Sequence, residues 1–159
     1  MSSDTAPTPW LDDEQQGSWR SFLEGSARLT EALNRDLDAQ SDLSLHEYEV
    51  LVRLSESEQR TLRMSALADS LAHSRSRVTH TVRRLEDRGL VRRQACVVDG
   101  RGVDCLLTDA GMQTLAEAAP HHVRSVRRHM VDVLTPEQLR TLGQAMAIVA
   151  DACRDSDGT

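Results

Sequence analysis

The chain has 159 residues, 39% hydrophobic but only 3% aromatic, and its 19 basic residues are all arginine, set against 25 acids for a net charge of −6. That length fits one domain with a core built from Leu, Val and Ala. No apolar stretch approaches a membrane span and Met1 to Pro9 lacks the charged-then-apolar run of a secretory leader, while three cysteines without metal-type spacing fit a reducing compartment, so a cytoplasmic location is expected.

Residues 1–9 are polar and contain proline, which predicts a disordered start. From Asp12 to about Gln40, Trp19, Phe22, Leu23, Ala27, Thr30, Leu33 and Leu37 recur at three- and four-residue steps, the pattern of a long amphipathic helix. Ser44-Leu45-His46-Glu47 reads as a capping box opening a second helix, with Leu45, Tyr48, Leu51 and Val52 inward. Thr61–Met64 is short enough for a minimal strand. Ser65 is positioned to cap a helix carrying Leu67, Ala68 and Leu71, and Ser74 to cap the next after a tight turn through Ala72-His73.

The helix from Arg75 to Arg88 separates two kinds of residue. Val78, Val82 and Leu85 fall on one side with Thr81, and Ser76, Arg77, Thr79, His80, Arg83 and Arg84 on the other. Gly89 supplies a left-handed stop. Two β-rich runs follow, Leu90–Val98 and Val103–Thr108, around a hairpin tip at Asp99-Gly100-Arg101-Gly102. Thr108 caps a long helix running to about Val133. Thr135-Pro136-Glu137-Gln138 starts a last helix that buries Leu139, Leu142, Ala145, Met146 and Val149, before a tail at residues 155–159.

Residues 73–103 hold eight arginines against three acids, a local charge of +5, which leaves −11 on the rest of the chain. Positive charge concentrated in this way attracts polyphosphate. A short helix, a tight turn and a donor-rich helix have the geometry of a helix-turn-helix whose second helix enters the major groove. Ser74, Arg75, Ser76, Arg77, Thr79, His80, Arg83 and Arg84 are the candidate contacts there, with Arg92 and Arg93 beside the groove and Asp99 orienting Arg101 at the ribbon tip. A solvated helix face and an ordinary Asp-Gly hairpin are the plainer alternatives for the same residues.

Leu67-Ala68, Leu71, Ser74-Arg75-Ser76, Val78, Leu85-Glu86-Asp87-Arg88-Gly89-Leu90-Val91, Asp99-Gly100-Arg101 and Leu107-Thr108-Asp109-Ala110-Gly111 together resemble the winged helix-turn-helix of the MarR family of bacterial transcriptional regulators. Ala72-His73 departs from it, since such proteins often place Gly and an apolar residue there. The resemblance implies a mainly α fold with a small β-wing over a single domain at 10–154. Residues 44–108 form the DNA-binding module, and 10–43 with 109–154 supply dimerisation helices. It implies a homodimeric repressor on a pseudo-palindromic operator of double-stranded DNA, released by a small aromatic or phenolic effector, with Trp19, Arg20, His46 and Arg53 as candidate pocket residues.

No cofactor, metal or membrane partner is expected. His121, His122 and His129 lack closed-site spacing, and there is no nucleophile elbow, phosphate loop or zinc-protease helix, so the chain is not read as an enzyme. Two alternatives stay open. Cys96 and Cys105 would face each other across the ribbon if its tip were a two-residue turn, which suits a redox-responsive regulator, and the histidines suit a metal-responsive one. A helical protein-interaction module is the other class, distinguished by salt-dependent binding to duplex DNA.

Overall fold

Asp12 and Gln15 exchange hydrogen bonds, the Gln15 amide donating to Asp12 Oδ1 (2.8 Å) and the Asp12 amide to Gln15 Oε1 (3.0 Å), and so begin α1, Asp13–Ser41. The computed structural model describes residues 7–96 and 100–156. Residues 1–6 of the start expected to be disordered over residues 1–9, the role given to Asp99, and the part beyond residue 156 of the tail expected at residues 155–159 lie outside these. Ser44 and Glu47 form the expected box (3.2 and 2.8 Å) at the head of α2, Leu45–Ser55. After a turn at Glu58–Arg60 come β1 (Thr61–Arg63), α3 (Met64–Leu71), α4 (Arg75–Asp87), β2 (Val91–Ala95), β3 (Val103–Leu107) and α5 (Asp109–Val126). A wider π turn at Arg127–Val131 extends α5, and α6 spans Pro136–Ser156.

Ser65 does not cap α3. Arg63 is held in the sheet opposite Asp104 and the helix starts directly at Met64, so Ser65 already lies inside the first turn. Ser74 does cap α4, accepting from the Arg77 amide at 3.3 Å. Ala72 takes the left-handed conformation (φ 52°) that ends α3, the place where the family resemblance expects glycine.

The three strands are antiparallel in the order β1-β3-β2. Their register corrects the cysteine expectation. Ala95 pairs with Val103 and the Cys96 amide donates to the Gly102 carbonyl (2.8 Å), so the tip is longer than a two-residue turn and Cys105 stands opposite Arg93, not Cys96. Burial pushes the Cys105 thiol up to about 12, which keeps it protonated and unreactive.

The core joins α1–α5 and the sheet. Leu37, Leu43, Leu51, Leu54, Leu67, Val78, Val82, Leu85 and Cys105 are all at most 1% exposed, and each such aliphatic side chain contributes about 1.5–3 kcal/mol by leaving water. Gly111 lets α5 cross the start of β2. A Cβ there would stand 2.0 Å from the Leu90 carbonyl oxygen, which already accepts the Thr108 amide (3.1 Å) and hydroxyl (3.0 Å). This close approach gives the Leu107-to-Gly111 motif its physical meaning.

The apolar stripes of the terminal helices are less covered than their periodicity suggested. Leu37 is buried and Leu33 packs on the core, but Trp19 (52%), Phe22 and Leu23 are exposed. In α6, Leu139, Leu142 and Met146 are half-buried, whereas Ala145 and Val149 are exposed and Ile148 is 71% exposed. Among the described residues, Ile148 and Val149 are left uncovered on that face of α6.

Asp36 joins the two long helices. Its Oδ2 accepts from Ser125 Oγ (2.6 Å), Arg128 Nη2 (2.7 Å) and His129 Nε2 (2.8 Å), and these donors hold the carboxyl well below its usual range. A carboxylate depressed in the folded state stabilises fully above its unfolded pKa, and that contribution is lost as pH falls through the folded value. Asp36→Asn is expected to cost about 1–2 kcal/mol at pH 7, read by urea denaturation. The gap between variant and parent should narrow below about pH 4, and a gap independent of pH would contradict the assignment.

Candidate nucleic-acid interface

Burial along α4 follows the pattern read from its sequence. Val78, Thr81, Val82 and Leu85 are buried, while Arg75, Ser76, Arg77, Thr79, His80, Arg83 and Arg84 are exposed. The burial of one aliphatic face fixes the rotation of the helix, so the opposite face can only point outward. Arg75, Thr79 and Arg83, spaced one turn apart, form its central stripe, and the Thr79 hydroxyl is tied back to the Arg75 carbonyl at 2.8 Å.

The arginines divide by what they already hold. Arg84 Nε lies 3.4 Å from Glu47 Oε1, a carboxylate only 2% exposed that needs a cation beside it. Arg88 donates to the Asp42 carbonyl at 2.9 Å, and Arg77 contacts His46. Together these contacts tie α4 to α2 and to the end of α1. Arg75, Arg83 and Arg92 make no ion pair or side-chain hydrogen bond among the described residues and remain exposed.

Arg93 departs from its expected role beside the groove. Its amide donates to Glu86 Oε1 (2.8 Å) while Nε (2.9 Å) and Nη2 (2.6 Å) donate to Oε2, a fork that holds the Glu86 carboxyl below its usual range. Arg93 thereby braces the wing against α4, because β2 leaves the helix through the tight stop at Gly89 (φ 71°) and runs back past Glu86. The sequence pattern shows neither this pairing nor Arg63, which comes from β1, outside the helix-turn-helix.

A hollow of about 510 Å³ lies between the start of α4, the start of α3 and the wing, lined by Arg63, Arg75, Thr79, Arg93, Arg101 and Gly102 among others. Four guanidinium-bearing side chains, Arg93 among them although held by Glu86, line one open concavity that continues the α4 stripe. Arg63 was findable only from the strand order, which sets β1 against β3 and so beside the wing.

The four residues expected to form an effector pocket do not share one. Trp19 stacks on Phe22 (ring centroids 5.9 Å apart) and Arg20 bonds Gln16, both along α1 and away from the module. His46 lines a hollow with Leu23, Ala27 and Asn34, whereas Arg53 lines another with Leu33, Tyr48 and His122. They part because α1 runs straight past α2, leaving its first turns beyond the reach of that helix. The three histidines of α5 and its π turn are likewise separate. His129 is bound to Asp36, His121 to Arg124, and His122 packs on Tyr48.

The comparisons agree with this geometry. The MarR family model matches residues 43–103, and no curated protein matches the sequence. The solved structure of AbsC, a MarR family transcriptional regulator from Streptomyces coelicolor, is 44% identical, with a TM-score of 0.86 over 93% of this chain and 99% of that one. Sco3205, a MarR family transcriptional regulator from the same organism solved in complex with DNA, is 43% identical, with a TM-score of 0.87 over 91% of each chain. A mutant MarR from E. coli, complexed with operator DNA, shares 21% identity and the fold (TM-score 0.76, 88% of this chain and 98% of that one). With near-complete overlap at this identity, and with the wing and helix-turn-helix in place, the chain belongs to the MarR family of transcriptional regulators.

Proposed function

We propose that the protein is a cytoplasmic, homodimeric repressor that binds a pseudo-palindromic DNA operator through α4 and the wing. The observation that carries this reading is the exposed stripe of Arg75, Thr79 and Arg83, whose two arginines have no ion pair among the described residues, contiguous with the basic hollow beneath Arg101. Ser76, Thr79, His80 and Arg83 address base edges, Arg75, Arg92 and Arg101 address phosphates or the minor groove, and Ser74 caps the helix. Arg77, Arg84 and Arg93 set the position of α4 and the wing through their partners. That Sco3205 was solved with DNA supports the same use of the shared fold here. No helix among the described residues is long and apolar enough to cross a membrane.

A second copy is the proposed cover for the terminal helices. Phe22, Leu23, Ile148 and Val149 are exposed, apolar surface that a second copy would take out of water. Two copies read two half-sites about one helical turn, roughly 34–36 Å, apart. An effector that relieves repression fits the hollow of about 380 Å³ where Arg53, Tyr48 and His122 come together, a cation beside an aromatic surface suited to an aromatic acid or phenolate.

Fluorescence anisotropy with duplex DNA from upstream of the protein's own gene tests the DNA reading. Arg83→Ala should weaken specific binding by about tenfold or more, and Arg75→Ala should lower the salt dependence by about one phosphate contact. Unchanged affinity and salt slope in both variants would reject the α4 face. Sedimentation should show a dimer that Ile148→Arg converts to monomer, and a monomeric parent protein would reject the assembly. In a thermal-shift screen of aromatic acids, stabilisation that Arg53→Ala abolishes is expected; a screen without any stabilising compound counts against the effector site.

A further inference from the structure

Three metal-type donors converge behind the arginine face. His46 opens α2, Glu49 follows one turn later and His73 lies in the α3–α4 turn, and one donor atom from each lies within 4.8 Å of the other two. All three side chains are half-buried. His46 Nδ1 is closed off from solvent without a hydrogen-bond partner, 3.6 Å from Glu49 Oε2, and the two imidazole rings meet edge-on with centroids 4.8 Å apart. A buried polar atom left without a partner is costly, and here it looks toward a carboxylate across a gap too long for a good hydrogen bond.

We propose that His46, Glu49 and His73 form a site for a divalent transition metal of the zinc class, and that its occupancy releases Arg77 and raises affinity for DNA. Two imidazoles and a carboxylate are a donor set that zinc takes readily, with water completing a tetrahedron. Closing to zinc-ligand spacing asks the widest pair of donors to approach by up to about 1.5 Å, within the range of side-chain rotation at half-buried positions.

Arg77 connects the site to α4. Its Nη2 contacts His46 Nε2, and a guanidinium only donates, so Nε2 is the acceptor and the ring proton sits on Nδ1. A metal bound at Nδ1 takes the lone pair there and leaves the proton on Nε2, which then faces Arg77 as a second donor. The hydrogen bond is lost, and the added dication repels the guanidinium outward along the exposed face of α4. At the same time His73 and Glu49 tie the α3–α4 turn to α2. The coupling rests on the DNA-binding reading above; the metal site does not.

Zinc titration of the full chain, stripped of metal and competed against a chromophoric chelator without DNA, reads the site directly. One zinc per chain is expected. His73→Ala and the nearly isosteric Glu49→Gln should each weaken it by about tenfold or more, His121→Ala should not, and melting curves confirm that the variants are folded. Absence of stoichiometric zinc, or equal zinc binding by parent and both variants, overturns the site. In anisotropy at fixed salt, zinc should tighten DNA binding by the parent about tenfold, one bidentate arginine contact in magnitude, and leave His73→Ala unaffected. Stoichiometric zinc with unchanged or weaker DNA binding overturns the coupling. A chain that ignores duplex DNA with and without zinc overturns the DNA reading instead, while the zinc titration still decides the site.

Discussion

The burial of Val78, Val82 and Leu85 against α2 and α3 governs what the rest of this molecule can present. Each is at most 1% exposed, and turning α4 by even one residue position would lift an aliphatic side chain into water and push an arginine into the core. The cost of either far exceeds anything a surface ion pair supplies. The outward direction of Arg75 and Arg83 is therefore a consequence of packing, not of any contact those residues make themselves.

Upon that constraint the intramolecular ion pairs act as positioning devices. Glu47 is buried and draws Arg84 across from α4, and Glu86 holds Arg93 through three hydrogen bonds, so helix and wing become one rigid unit. Their contribution to net stability is modest, because desolvating a carboxylate offsets much of what its partner returns. Their effect on geometry is larger. A wing free to swing would carry Arg101 and the edge of the basic hollow with it, whereas the clamp keeps that edge in a fixed relation to the stripe on α4.

Asp36 plays the corresponding part at the other end of the module, joining α1 to α5 and its π turn. The last turns of α1 are thereby part of the globular body, while its first turns lie outside the core and the end of α6 comes beside the α3–α4 turn, where Arg154 lines a hollow with Ala72 and His73. Motion of those helices relative to one another would reach α2 through Leu37 and Leu45, both in the core cluster, and through Asn34, whose side chain accepts the Leu45 amide at 2.9 Å. His46 is the next residue, and Arg77 its contact, so the path from the terminal helices to the DNA-facing helix is short.

Much of this was legible along the chain. Capping at Ser44, Ser74, Thr108 and Thr135, the stop at Gly89, the two faces of α4 and the ribbon after it are all local: each depends on residues within about one turn of one another, where spacing alone specifies the hydrogen bond or the buried side. The tertiary structure decided what is not local. The register of β2 on β3 separates Cys96 from Cys105; Glu86 reaches Arg93 only because the chain doubles back after Gly89; Arg63 joins the basic hollow only because β1 lies beside β3; and His46, Glu49 and His73 meet only because α2 packs beside the α3–α4 turn. Such partners are separated along the chain by elements whose relative placement is set by core packing, and periodicity carries no information about which polar groups that packing brings within reach.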